Sequence, residues 1–462
     1  MIETKEKLLE VVLDEAIHHA NETKSKQLVS FTKKIDQVNP LQFFEAAKTC
    51  DMNRTFWAST ADAFYLVGIG TVYPLVAGEN RLKDIEQQWN ELTANATVHN
   101  PYQVPGTGLV ALGGMCFDPK KQTTGLWDKF RNSEFQVPRY TLVQTKQASY
   151  VTINTFVTMN DSPRTLAQML EETEKNLLHY TKPFPDEATL LKREEIAPQQ
   201  WKEQVRQATE EIKQQHAEKI VLAREMRLTF SKQVEVTPVL DKLLSSQTNS
   251  YVFAFEHGDD CFVGATPERL VKLEQEQLLS TCLAGTAPRG TTPVQDKEIG
   301  RTLLQDTKNR EEHDFVVKMI GNAIKPYCSR VDIPNNPVIY PLKNLQHLYT
   351  PVKATLKQGH SIFEIVKALH PTPALGGVPR EKSLTFIREH ELLERGWYGA
   401  PVGWLDSNRN GEFAVAIRSG LVQGNEASIF AGCGVVKDSD PEAEYEETLI
   451  KFTPMLSVLG GS

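Results

Sequence analysis

The sequence predicts an α+β fold in which a large two-layer body of antiparallel β-sheets carries helices packed on its outside. Strand-like and helical segments follow one another without the regular strand–helix–strand rhythm of a parallel sheet. The chain has 462 residues, 40% of them apolar, which suffices for two domains or for one large body with a sizeable core. We expect residues 1–190 to add sheet and helices to the same body as a second domain at 195–456.

The first half is predicted to contain more strands than helices. Residues 4–22 repeat apolar side chains at helical spacing. Strand-like runs follow at 28–32, 65–70, 106–115, 140–144 and 149–157, the last two spaced like a hairpin. Ser162 and Pro163 begin a helix, and the side chains that we expect it to turn toward the core are Leu166, Met169, Leu170 and Leu177.

The second half opens with a segment, 181–198, whose three prolines and weak periodicity indicate a linker or a surface crossing. A helix with Trp201, Val205, Ala208 and Ile212 on one face comes next. A further helix is predicted at 309–324, and the strand-like runs of this half are 219–224, 250–256, 261–264, 278–283, 413–419 and 428–431.

Composition excludes several classes of protein. The net charge of −8 provides no basic surplus for nucleic acids or acidic membranes. Six cysteines without C-x-x-C spacing indicate free thiols in a reducing compartment. The N-terminus lacks the pattern of a signal peptide, and the most apolar run, 64–78, is shorter than the ~20 residues that span a bilayer. We expect a soluble cytoplasmic protein.

The stretch 432–451 reads as a glycine loop that leads into a helix capped by Asp440 or Ser439. Glu444, Glu447 and Lys451 fall on one face of that helix, where they could hold a metal ion and an anion together. The alternative is a charged helix end exposed to solvent.

Glu312 lies four residues before Val316 and therefore on the apolar face of the helix predicted at 309–324. A carboxylate facing a core is costly unless it is paired or binds a metal, although a first-turn residue can also reach water. If Glu312 and Glu444 meet, their oxygens suit Mg²⁺. No zinc-binding pattern is present.

Arg418 and Lys219 are candidate charged groups on strands. Arg418 alternates with Ala414 and Ala416, which leaves room for a carboxylate against its guanidinium, unless it pairs with a protein acid. Lys219 opens an apolar strand, where burial would favour the neutral amine that can act as a general base. The alternative for Lys219 is a surface position at a strand end.

Other candidate groups lie in segments predicted as turns or loops. Glu268 follows a Thr-Pro turn and could instead be an ordinary helix start. The segments 283–290 and 432–434 are predicted as tight loops whose backbone amides could receive carboxylate oxygens. His370 and Tyr398 lie among glycines and prolines in two further loops.

Eight motifs follow one another along the second half of the chain. They are KIVLAR (219–224), GATPERL (264–270), LAGTAPRG (283–290), D-x-K-N-x-x-E-H (306–313), HPTPALGG (370–377), RGWYGAPVGW (395–404), FAVAIRS (413–419) and GCGVVKDSDPEAEYEETLIK (432–451). In this order and spacing they resemble the chorismate-utilising enzymes, which include isochorismate, salicylate, anthranilate and aminodeoxychorismate synthases. The resemblance covers 198–455, and 32–44 and 53–59 also resemble the menaquinone-type isochorismate synthases.

The resemblance implies a role for each matching position in a chorismate-binding catalytic domain at 195–456. Lys219 matches the base that activates water, and Glu268 the acid that protonates the departing hydroxyl. Glu312 and Glu444 match ligands of Mg²⁺, with Glu447 near the ion. The remaining matches are to groups that hold the substrate, namely Leu283, Gly285, Thr286, His370, Tyr398, Arg418, Gly434 and Lys451.

Three positions indicate, through the resemblance, that water is the nucleophile. Anthranilate synthases usually have glutamine where this chain has Lys219, and they take ammonia from a glutaminase partner, which we do not expect here. Aminodeoxychorismate synthases often have an attacking lysine where this chain has Ala284, and Leu283 matches a position that helps to exclude ammonia. Ala287, where arginine is common, and the order Gly399-Ala400 depart from the usual motifs and affect only local substrate contacts.

The implied function is therefore that of a Mg²⁺-dependent isochorismate synthase in menaquinone biosynthesis, acting as a monomer or a weak homodimer. A salicylate synthase and a siderophore-pathway isochorismate synthase share these residues. A non-catalytic chorismate-binding regulator is the alternative from another class.

Overall fold

The computed structural model describes residues 2–121, 125–341 and 345–460, with the backbone alone for 2–7. Its α-helices are α1 (Ile2–Thr23), α2 (Pro40–Ala46), α3 (Arg81–Ala94), α4 (Pro163–Leu178), α5 (Pro198–Lys213), α6 (Val236–Ser246), α7 (Pro293–Gln305), α8 (Thr307–Ile324), α9 (Ile362–Leu369), α10 (Arg380–His390) and α11 (Pro441–Val458).

Each strand-like run predicted from the sequence overlaps a strand of the structure, and further strands lie outside the predicted runs. The strands are β1 (Gln27–Ile35), β2 (Arg54–Ser59), β3 (Phe64–Ala77), β4 (Ala96–His99), β5 (Val110–Met115), β6 (Ser133–Gln144), β7 (Ser149–Val157), β8 (Leu190–Glu195), β9 (Lys219–Phe230), β10 (Tyr251–His257), β11 (Asp260–Thr266), β12 (Arg269–Glu274), β13 (Gln277–Pro288), β14 (Cys328–Asp332), β15 (Val338–Pro341), β16 (Leu345–Leu356), β17 (Gly377–Val378), β18 (Pro401–Asp406), β19 (Gly411–Val415), β20 (Ser419–Gln423) and β21 (Glu426–Val435).

Antiparallel ladders join the two halves of the chain. β2 pairs with β10, with Phe56 opposite Ala254, and β5 pairs with β18, with Leu112 opposite Trp404. Among the described strands, only β1 and β4 pair in parallel. The strands of residues 1–190 and 195–456 therefore belong to one continuous, mainly antiparallel sheet.

Three clusters of buried apolar side chains define the layers. One cluster packs helices such as α1 and α4 against strands, and a second does the same with α5, α8 and α9. The third contains no residue of an α-helix and consists mainly of strand residues, including Trp57, Phe253 and Trp404. Each large side chain buried in this way contributes about 1.5–3 kcal/mol relative to exposure. The prediction of sheet packed on sheet with helices outside is confirmed.

Arg418 does not lie on a strand, which corrects the prediction of a strand over 413–419. β19 ends at Val415, and Ala416–Arg418 form a tight connection to β20 in which Ile417 N donates to Val415 O. Arg418 itself has φ +53°, a left-handed conformation outside the strand region. The alternation that placed it beside Ala414 therefore stops at the connection.

The segments 283–288 and 432–434, predicted as loops, are strand ends. Residues 432–434 pair with β9 as part of β21. Residues 283–288 pair with β16 as part of β13, across a bulge where Gly285 has φ +78°. A strand end that contains glycines looks like a loop in the sequence. Here the glycines have no side chains, so other groups can approach the strand closely.

The outer elements depart from the prediction at two places. Met169 is 53% exposed and faces away from the core, because α4 buries the nearby positions Ala167 and Leu170 instead. The segment 181–198, predicted as a linker or a surface crossing, lies at the surface and contains β8, which pairs with β9. Its high charge fits an edge strand that needs few apolar side chains.

Candidate active site

A cavity of about 410 Å³ lies where β9, β13, β21, α8 and α11 converge, a size typical of small-molecule pockets. Eleven of the thirteen predicted site residues line it. They are Lys219, Glu268, Leu283, Gly285, Thr286, Glu312, Tyr398, Arg418, Gly434, Glu447 and Lys451. Glu444 and His370 are not among the lining residues.

Lys219 reaches into the cavity from the first position of β9. Its Nζ lies 3.5 Å from Oε1 of Glu312 on α8. Its aliphatic chain crosses Gly434 so closely that a Cβ added there would lie 2.5 Å from Cε of Lys219. The amine is therefore held against the cavity wall by a neighbouring strand that carries no side chain at this point.

Glu268 lies in the connection between β11 and β12. Its backbone is anchored at both ends, because its N–H donates to Oγ1 of Thr266 and its carbonyl accepts from N–H of Val415. Burial raises the pKa of the Glu268 carboxyl to about 7, although the charge of Arg418 opposes the shift. A carboxyl with this pKa can carry a proton near neutral pH and donate it.

Arg418 is available to bind an anion. Its Nη1 donates to the carbonyl of Lys451, 3.2 Å away, and among the described residues it forms no ion pair with an acid. The alternative that Arg418 pairs with a protein carboxylate is therefore not observed. Burial lowers the pKa of Arg418, but a guanidinium keeps its charge in proteins.

Tyr398 and Lys451 add polar groups near Arg418. Burial raises the pKa of the Tyr398 hydroxyl to about 12, so it stays protonated and can donate a hydrogen bond. Nζ of Lys451 donates to the carbonyl of Gly432 at 2.8 Å and contacts Oε1 of Glu447 at 2.5 Å. This side of the cavity suits a ligand that carries carboxylates.

His347 on β16 is a cavity residue that the sequence reasoning missed. Its Nδ1 lies 2.9 Å from Oγ1 of Thr286 across the β13–β16 ladder. Burial lowers the pKa of His347 to about 4, and the charge of Arg418 acts in the same direction. The imidazole is thus neutral at ordinary pH. In the sequence His347 stands only as a polar residue before Leu348 and Tyr349, outside the motifs and the predicted strands.

The glutamates that line the cavity have carboxylate oxygens, which are ligands suited to a hard cation. Glu312 and Glu447 line the cavity and are each about half exposed, so both can take up a ligand. Among the described residues, no three His, Cys, Asp or Glu side chains are already gathered as a metal cluster. Mg²⁺ commonly uses one or two carboxylates and completes its shell with water and substrate oxygens, so two glutamates suffice.

Glu444 points elsewhere in this structure. Its Oε1 accepts a hydrogen bond from Oγ of Ser439 at 2.6 Å. It also lies near Cys433, where its charge and burial both raise the pKa of the thiol. Glu444 is thus on the same helix as Glu447, but it is not brought into the cavity wall.

His370 and Arg395 support the cavity from behind. Nε2 of His370 lies 3.1 Å from the carbonyl of Gly399, which lines the cavity, and burial lowers the pKa of the imidazole. Arg395 lines the cavity but is saturated by Glu391 at 2.7 Å and by backbone carbonyls. Both residues fix the segment that carries Tyr398.

This chain is similar to known proteins along nearly its whole length. The family model described as "Chorismate binding enzyme" matches residues 15–460. The isochorismate synthase MenF of Bacillus subtilis is 40% identical over 100% of this chain and 99% of its own length. The salicylate biosynthesis isochorismate synthase of Pseudomonas aeruginosa is 34% identical over 97% of this chain and 94% of its own length.

Among solved structures, the menaquinone-specific isochorismate synthase MenF of Escherichia coli is similar in fold. It superimposes with a TM-score of 0.79 at 23% sequence identity, over 97% of this chain and 100% of that one. Within the described part of the chain, no helix combines the length and the apolar character that crossing a membrane requires.

Proposed function

This chain belongs to the family of chorismate-binding enzymes, and from that premise we propose that it is an isochorismate synthase that serves menaquinone biosynthesis. The reaction adds water at C2 of chorismate, shifts the ring double bonds and expels the hydroxyl at C4. Relatives that match nearly the whole chain carry the name isochorismate synthase, which supports the reaction.

The observation that carries the proposal is that a lysine and a carboxyl with a pKa of about 7 line one cavity. Water is a weak nucleophile, so a base must take its proton, and we assign that step to Nζ of Lys219. Hydroxide is a poor leaving group, so an acid must protonate it, and Glu268 supplies that proton as the C4–O bond breaks.

The substrate carboxylates are assigned to the wall that carries Arg418. Its guanidinium can grip a carboxylate with two hydrogen bonds, and Lys451 adds a second positive charge. The hydroxyl of Tyr398 and the backbone around Gly285, Thr286 and Gly434 complete the contacts, while Leu283 shapes the wall. His370 acts indirectly through Gly399.

We assign the metal to Glu312 together with Glu444 and Glu447 of α11. Bound Mg²⁺ would neutralise a substrate carboxylate and so reduce its repulsion of the acidic side chains. Glu444 would have to turn toward the cavity to take part, since in this structure its Oε1 accepts a hydrogen bond from Ser439 and the side chain does not line the cavity. Glu312 and Glu447 already line the cavity, where each contacts a lysine.

We assign catalysis to residues 195–456 and the completion of the sheet to residues 1–190. No glutaminase subunit is required, because Lys219 stands where ammonia-using relatives have glutamine. The pathway assignment is supported by the similarity in fold to a menaquinone-specific enzyme. We further propose a cytoplasmic monomer or weak homodimer.

The test is to incubate the purified protein with chorismate and Mg²⁺ and to resolve the products by chromatography. Isochorismate as the main product is the expected result. Salicylate with pyruvate would support a salicylate synthase instead. Binding of chorismate without turnover would support the non-catalytic regulator and would overturn the proposal.

A further inference from the structure

We propose that Arg224, Glu195 and Tyr445 form a positioning cluster, which sets helix α11 against strand β9 and so determines where the proposed metal ligands Glu444 and Glu447 can point. The inference rests on the proposed function, because it concerns how the proposed ligands are held. Lys219 and Arg224 are on the same strand, and the proposed metal ligands are on α11. The cluster therefore fixes the position of the proposed metal ligands relative to the proposed base.

Arg224 is the centre of the cluster. Only 2% of this residue is exposed, and its guanidinium is bound on several sides. Nη1 lies 2.8 Å from a carboxylate oxygen of Glu195, and Nε donates to Oγ1 of Thr448 at 2.7 Å. The guanidinium carbon also lies 3.9 Å from the ring centroid of Tyr445. A buried arginine with this many partners fixes the orientation of the groups around it.

Tyr445 joins the cluster to α11. Its hydroxyl donates to the same Glu195 carboxylate that binds Arg224. Nζ of Lys202, on α5, lies 4.2 Å from the ring centroid, and the Trp201 ring packs nearby. Three other elements, β8, β9 and α5, therefore contact one side chain at the start of α11.

The cluster and the proposed ligands alternate along the helix. Tyr445 and Thr448 directly follow Glu444 and Glu447, so the anchored face lies about 100° around the helix from the face that carries the glutamates. A shift of one residue along α11 would move the carboxylates by about 1.5 Å and rotate them out of the cavity. Fixing Tyr445 therefore fixes where Glu444 and Glu447 can point.

The cluster also explains β8, the strand within the segment that the sequence predicted as a linker. Glu195 is its last residue, and it is shared by Arg224 and Tyr445. Arg224 is buried, whereas the Glu195 side chain is 35% exposed. Removing Glu195 would leave the buried charge of Arg224 without its acidic partner, which is destabilising. Variants that keep size and polarity are therefore needed to test the positioning role.

The test uses Tyr445→Phe and Glu195→Gln in the full chain. We expect Mg²⁺, titrated alone into the protein by calorimetry, to bind about tenfold more weakly in both variants than in the wild type, as when outer-shell partners of metal ligands are lost. We also expect faster amide hydrogen exchange over 441–452. Tyr140→Phe is the matched control, because it removes another buried tyrosine hydroxyl that donates to a backbone carbonyl, that of Leu170, outside the cavity.

A purely structural role gives a different pattern. The variants would then lose thermal stability, as Tyr140→Phe should, while Mg²⁺ affinity and exchange over 441–452 stay at wild-type values, and the positioning proposal would be overturned. If the wild type itself binds no Mg²⁺ and makes no isochorismate, the proposed function fails together with this inference. Wild-type activity with unchanged variants overturns the inference alone.

Discussion

Nζ of Lys219 lies 3.5 Å from Oε1 of Glu312, so the proposed base and a proposed metal ligand contact each other across the cavity. Their opposite charges attract each other, although both side chains are partly exposed to solvent. A cation bound to Glu312 would compete with Nζ of Lys219 for that carboxylate. The pair therefore couples metal binding to the position of the proposed base.

Glu312→Gln should raise the Mg²⁺ concentration that gives half-maximal activity by at least about tenfold, because an amide is a weaker ligand for Mg²⁺ than a carboxylate. The measurement is a titration of turnover against Mg²⁺ at saturating chorismate. Glu311→Gln is the control, because the neighbouring side chain is exposed and does not line the cavity. An unchanged titration curve for Glu312→Gln would remove this residue from the ligand set.

Lys219→Ala should lower kcat by about 10²–10⁴-fold, the usual contribution of a positioned general base. Chorismate should still bind within a fewfold of the wild-type affinity in calorimetry, since Arg418 and Lys451 remain. Lys192→Ala controls for the loss of a lysine, because Lys192 is exposed and pairs with Glu194 away from the cavity. Normal turnover by Lys219→Ala would show that another group activates water.

Much of the cavity could be predicted from motif order, but not always for the right structural reason. Arg418 was expected on a strand beside small residues, whereas it occupies a left-handed turn after that strand ends. The residue type and its neighbours still indicated an anion site. Alternation along a strand predicts a face only while the ladder continues, and a sequence does not mark where two strands separate.

Other parts of the site depend on pairing between distant segments. Thr286 and His347 meet because β13 pairs with β16, and Glu195 meets Arg224 because β8 pairs with β9. Such long-range pairs leave only an ordinary polar residue in each strand. The direction of the Glu444 side chain was equally invisible, because helical spacing places a residue on a face without choosing its rotamer.

Gly434→Ala should misplace the proposed base without unfolding the protein. The added Cβ would lie 2.5 Å from Cε of Lys219, which must then move. A displacement of about 1 Å can cost about 10²-fold in rate, so we expect kcat to fall by about that factor. Thermal unfolding should change little, because the clash is with a flexible side chain.

Gly78→Ala is the control for Gly434→Ala, because nothing lies within 4 Å of the Cβ that it adds. It should leave kcat at the wild-type value. A crystal structure of Gly434→Ala should show Nζ of Lys219 displaced from Glu312. Wild-type kcat in Gly434→Ala would mean that the position of Lys219 is not critical for turnover.

The pKa of Glu268, raised to about 7 by burial, predicts how activity depends on pH. The carboxyl must be protonated to donate to the departing hydroxyl, so kcat/KM should fall about tenfold per unit as pH rises above that value. Glu268→Gln cannot donate a proton and should lose at least about 10²-fold of activity. Glu276→Gln, at an exposed turn, should keep the wild-type profile.

The same group predicts that stability also falls as pH rises through about 7. The folded state holds this proton up to a higher pH than the unfolded chain, in which the carboxyl has its ordinary pKa of 4.5. Its contribution to stability is therefore fully present below that value and is lost as pH rises through about 7. Glu268→Gln carries no charge to bury, so its Tm should exceed that of the wild type at about pH 8 and match it more closely at about pH 5. An equal Tm difference at both pH values, with kcat/KM constant up to about pH 9, would show that Glu268 is not a buried acid.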